Sequence, residues 1–74
     1  MVEFNLHELR VARVRKNYTQ ADMGKALNMP MTSYSKRESG VTKISVEEFA
    51  KMVDILDIDD VSIFFTNSVD KKQQ

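Results

Sequence analysis

The chain contains no cysteine and no tryptophan, and only one proline, one histidine and two glycines among its 74 residues. Without cysteine there is no disulfide, no thiolate ligand and no thiol nucleophile, and His7 alone cannot build a zinc site. Two isolated glycines exclude a glycine-rich phosphate loop. His7 stands beside Glu8 at the start of a helix and reads as a surface residue. No enzyme is expected, and neither a metal nor another cofactor. Apolar runs are also missing: none approaches the roughly 20 residues of a membrane span, so no membrane partner is expected. The first residues, Met1-Val2-Glu3-Phe4, lack the basic and then apolar signature of a secretory signal, and the expected location is cytoplasmic.

Seventy-four residues make one small domain, near the lower limit at which a hydrophobic core is sufficient without a covalent staple. Burial or oligomerisation must therefore supply the stability.

The formal net charge is zero, but it is unevenly divided. Residues 1–43 carry Arg10, Arg13, Arg15, Lys16, Lys25, Lys36, Arg37 and Lys43 against Glu3, Glu8, Asp22 and Glu38. Residues 44–74 reverse the balance, with Glu47, Glu48, Asp54, Asp57, Asp59, Asp60 and Asp70 against three lysines. A basic half of this kind favours a polyanion on one face.

Helix starts are written in the caps. Asn5 with Glu8, Thr19 with Asp22 and Ser45 with Glu48 each pair an N-cap oxygen with an acidic residue three positions on. Three helices should begin near Leu6, Gln20 and Val46. Another starts near Pro30 or Met31 without a polar cap, because proline suits a first turn in which its missing donor is not needed. Asp59 before Asp60-Val61-Ser62-Ile63-Phe64-Phe65 predicts a short fifth helix. Asn28 and Asp57 occupy corners, where Asn and Asp tolerate a left-handed backbone better than other non-glycine residues. Gly24, in mid-helix, breaks helix propensity by about 1 kcal/mol relative to Ala and implies a close crossing at that point.

Apolar residues recur at spacings of three and four: Leu6, Leu9 and Val14; Met23, Leu27 and Met29; Tyr34; Phe49, Met52, Val53 and Leu56; then Ile58, Ile63 and Phe64. This predicts an all-α, five-helix orthogonal bundle over residues 1–65. Residues 66–74 read as a polar, disordered tail.

The stretch from Thr19 to Gly40 reads as two short helices meeting at a tight corner, the second carrying small polar and cationic side chains outward. That arrangement is suited to placing a helix in the major groove of DNA. The Thr19-Gln20 opening, the small residue at Gly24 and the Tyr34-Ser35-Lys36-x-Glu38-x-Gly40 ending resemble the lambda-repressor-like helix-turn-helix domains of the Cro and Xre families. The resemblance runs from about Leu6 to Phe65.

It implies roles residue by residue. Arg13 falls where these domains often place an arginine that pairs with a glutamate at the end of the recognition helix, here Glu38, tying first helix to third. Gln20 falls where a glutamine meets the phosphate backbone, with Thr19 beside it. Met31, Thr32, Ser35 and Lys36 are the expected base contacts, Lys36 reaching either guanine O6/N7 or a phosphate, and Thr32 and Met31 meeting a thymine methyl. Ser33, Arg37 and Lys43 join Thr19 and Gln20 as expected backbone contacts. Tyr34 is bulkier than the usual aliphatic residue, and its hydroxyl is expected to reach solvent or a phosphate. Arg37 replaces an apolar residue; either the helix is rotated, or the Arg37 stem lies on the core and its head points at the duplex.

Two functions follow. One is a small DNA-binding transcriptional regulator, a phage or mobile-element type repressor that binds double-stranded operator DNA as a homodimer. The other is a protein-binding module of the same fold, such as an antitoxin or antirepressor with a protein partner. Phe64 and Phe65 are adjacent, so one helix cannot bury both; Phe65, with Ile58 and Val61, is the expected dimer surface unless it folds back over its own domain.

Overall fold

The computed structural model describes residues 2–67. A short strand β1 (Val2–Phe4) leads into four α-helices, α1 (Leu6–Arg15), α2 (Gln20–Ala26), α3 (Met31–Glu38) and α4 (Val46–Leu56). A single 3-10 turn (Val61–Phe64) and strand β2 (Phe65–Asn67) follow. The fold is an all-α bundle with a two-stranded antiparallel ribbon across its ends, Phe4 opposite Phe65 and Val2 opposite Asn67.

Three of the four α-helices start at a side-chain cap. The Asn5 side chain accepts from the Glu8 amide at 3.2 Å. Thr19 and Asp22 form a reciprocal capping box, as do Ser45 and Glu48, so two orphan amides are satisfied at each end. Pro30 precedes α3 without any side-chain cap. Asn28 and Asp57 hold the left-handed corners with φ of 63° and 54°, and Asn17, at 61°, closes α1 in the same way.

Leu9, Ala12, Met23, Leu27, Tyr34, Met52, Leu56 and Phe64 form the buried core, with Leu6, Met29, Phe49 and Ile58 packed against it. Two expected core residues point outward. Val14 is 55% exposed, because it lies five positions beyond Leu9 and so on the opposite side of α1, where Ala12 takes the inward place. Ile63 is 40% exposed, since the 3-10 turn directs Phe64 inward instead.

The expected fifth helix is thus one 3-10 turn followed by a strand. Its residues are mainly β-branched or aromatic, too few to nucleate an isolated α-helix, and β1 offers them a pairing edge. The Asn5 amide donates to the Phe64 carbonyl and fastens the two ends together. Phe4 stacks on Phe64 at 5.7 Å between ring centroids, and Phe49 meets both edge-on. Phe65 also lies edge-on to Phe4 and Phe49, yet stays 45% exposed. The ordered chain continues through Thr66 and Asn67 in β2, two residues past the expected domain end; positions 68–74 of the expected tail lie outside the described residues.

Candidate nucleic-acid interface

Gly24 sets the crossing of α2 and α3. A Cβ there would lie 2.8 Å from the Met29 carbonyl oxygen and 3.3 Å from the Met31 nitrogen, and the Met29 amide donates to the Gly24 carbonyl at 2.8 Å. The corner between the two helices therefore packs backbone on backbone, which only glycine permits.

Glu38, at the end of α3, joins three helices. Arg13 of α1 approaches it bidentately, Nε to Oε2 at 2.8 Å and Nη2 to Oε1 at 3.1 Å. Gln20 of α2 donates from Nε2 to Oε1 at 3.1 Å, and Tyr34 donates its hydroxyl hydrogen to Oε2 at 2.7 Å. The third Arg13 nitrogen, Nη1, donates to the Tyr18 carbonyl at 2.7 Å. Burial pushes the Glu38 carboxyl up, but hydrogen bonds from Arg13, Tyr34 and Gln20 outweigh it and hold the group below the usual carboxylate range. Arg13 is raised, chiefly by its bond to Glu38, and the Tyr34 hydroxyl is raised by burial and by the same carboxylate. The carboxylate and guanidinium thus stay charged in a largely water-excluded site because each satisfies the other.

This arrangement revises two expectations. The Tyr34 hydroxyl is buried on Glu38 instead of reaching solvent or a phosphate, and the Gln20 carboxamide directs a donor inward. Tyr34 and Glu38 are four residues apart on one helix, so their encounter could have been read from spacing. Arg10, one turn before Arg13 and expected only as part of the basic half, also faces this carboxylate, its Nε 3.9 Å from Glu38 Oε1.

The outer face of α3 carries Met31, Thr32 and Lys36, all exposed, with Ser33 and Ser35 half-buried. The Arg37 head is bonded within the domain. Its Nε donates to Glu48 Oε1 of α4 at 3.0 Å and its Nη1 to the Ser33 carbonyl at 2.9 Å. The same Glu48 oxygen accepts the Ser45 amide at 3.1 Å, and the Arg37 bond is the main reason that Glu48 is held below its ordinary pKa. The Lys36 carbonyl accepts from the Val41 and Thr42 amides and from Ser39 Oγ, which anchors the loop carrying exposed Lys43 to α3. Thr19 is exposed at the head of α2 and its side chain is engaged in the capping box.

Phe65 borders an apolar groove with Phe4, Ile44, Val46 and Phe49, whereas Ile58, with Leu56 and Ile63, lines a pocket edged by the charged Glu8, Arg15, Lys16 and Asp57. Val61 is 41% exposed.

Two short helices crossing at a glycine, with the second fixed by a buried carboxylate and exposed along its outer face, define a lambda-repressor-like helix-turn-helix domain. The Helix-turn-helix family model matches residues 9–61, and the chain belongs to that family. No curated protein and no solved structure matches the chain. The family is one of DNA-binding transcription regulators and not an enzyme family. Among the described residues no helix is long and apolar enough to cross a membrane.

Proposed function

We propose that this chain is a small cytoplasmic repressor, of the phage or mobile-element type, that binds a pseudo-palindromic operator in double-stranded DNA as a homodimer. The observation that carries this reading is the state of α3: its inner side is tied to α1 and α2 through Glu38, while Met31, Thr32 and Lys36 stand exposed on its outer side. A pre-set helix of this kind enters the major groove without an ordering penalty. Met31, Thr32, Ser35 and Lys36 then meet base edges. Thr19, Ser33 and Lys43 meet the backbone, as does Gln20 through its second amide hydrogen. Arg37 contributes only through the donors that Glu48 and the Ser33 carbonyl leave unused. A second copy docks through Phe65 with Val61 or Ile58, and half-sites one helical turn of DNA apart require the two recognition helices to stand about 34–36 Å from each other.

Selection of bound sequences from a random duplex pool tests this reading. Enrichment of a two-fold related site is expected, with log affinity falling linearly against log salt. A pool that stays random, or binding insensitive to salt, removes the DNA-directed reading and leaves the protein-binding module.

A further inference from the structure

The two arginines of α1 that face Glu38 are not equivalent. Arg13 uses Nε and Nη2 on the carboxylate and Nη1 on the Tyr18 carbonyl, and its side chain is only 12% exposed. Arg10 is 65% exposed, makes no hydrogen bond to any described residue and touches Glu38 only at 3.9 Å. The oxygen it approaches, Oε1, already accepts from Arg13 Nη2 and from Gln20 Nε2. Two guanidiniums thus share one carboxylate, and the surplus positive charge sits at the Glu38 oxygen that Gln20 also reaches.

We infer that Arg10 joins Gln20 on the backbone phosphate already assigned to Gln20, its guanidinium supplying the charged arm of an anion site at the junction of α1 and α2. The inference rests on the DNA-binding reading above. The Arg10 guanidinium is itself exposed and reaches the buried Glu38 only at 3.9 Å, on a carboxylate already bonded by Arg13, Gln20 and Tyr34, so it is held weakly and swings outward at little cost. Guanidinium N–H groups match the paired oxygens of a phosphate better than an ammonium does. Gln20 gives one amide hydrogen to Glu38, which fixes the flip of its carboxamide, and has the second to offer to the same phosphate. Glu38 therefore orients Gln20 and leaves Arg10 in surplus.

The test uses the full chain, a labelled duplex recovered from the random pool, and a salt series for the wild type, Arg10→Gln and Arg10→Lys. Arg10→Gln is expected to weaken binding several-fold at low salt and to reduce the slope of log affinity against log salt by about 0.9, the loss of one phosphate contact. Its melting midpoint should stay at the wild-type value, and Arg10→Lys should keep most of the slope. An unchanged slope in Arg10→Gln, while the wild type binds with its full salt dependence, overturns the phosphate site alone. A lowered melting midpoint with an unchanged slope also overturns it, since Arg10 would then be structural. No binding by the wild type overturns the DNA reading, and this inference with it.

Discussion

Tyr34 and Glu38 lie one turn apart on α3, both buried, and the Tyr34 hydroxyl donates to Glu38 Oε2 at 2.7 Å. The contact converts an aromatic core residue into a support for the carboxylate that Arg13 and Gln20 approach from the other two helices. Tyr34→Phe should keep the packing and remove one donor, destabilising the fold by about 1–3 kcal/mol in urea unfolding.

Breaking the Arg13 side of the same site should do more. Arg13→Ala leaves a buried carboxylate without its cation, a loss of about 3–5 kcal/mol, whereas the double variant with Glu38→Ala should fall well short of the sum of the single losses. A double-mutant cycle without coupling would show that α1 and α3 are not held by this pair.

Acid should expose the Glu38 site. Its folded-state pKa is depressed, so its stabilisation is complete above the unfolded value of about 4.3 and is lost as pH falls through the folded value. The wild type should lose stability steeply below about pH 4, and Glu38→Gln, weaker at neutral pH, should show a shallower acid slope. Glu48 and Asp22 are depressed too, so the slope of the variant should shrink without vanishing. Equilibrium unfolding at a series of pH values measures the difference.

Gly24→Ala should reverse the usual helix preference. Alanine is favoured by about 1 kcal/mol in an exposed helix interior, but here its Cβ meets the Met29 carbonyl at 2.8 Å, and backbone cannot move aside as a side chain can. Overpacking of this kind costs about 1–3 kcal/mol, so a net loss of stability is expected, and Gly24→Leu should abolish the cooperative melt.

Phe65→Glu addresses assembly. The side chain is 45% exposed, so the domain should still fold, with about 1 kcal/mol lost from contacts to Phe4 and Phe49. Sedimentation should show a monomer and operator binding should weaken markedly. A wild-type chain that is monomeric at high micromolar concentration, and remains so on DNA, would rule out this surface.

The four α-helix starts, the left-handed corners at Asn28 and Asp57 and the close crossing at Gly24 were legible in the amino-acid order. Each depends on hydrogen bonds or steric limits among residues a few positions apart, as in the Thr19–Asp22 and Ser45–Glu48 boxes. The Arg13–Glu38 pair was expected from family resemblance, since nothing in the local spacing of residues 25 apart points to it. Tertiary structure alone decided that Gln20 turns inward, that Arg37 binds Glu48 and that Phe65 enters a strand. These outcomes depend on how the helices cross and on an edge offered from the other end of the chain. A partner brought close by folding outweighs a local propensity worth only a fraction of a kcal/mol per residue.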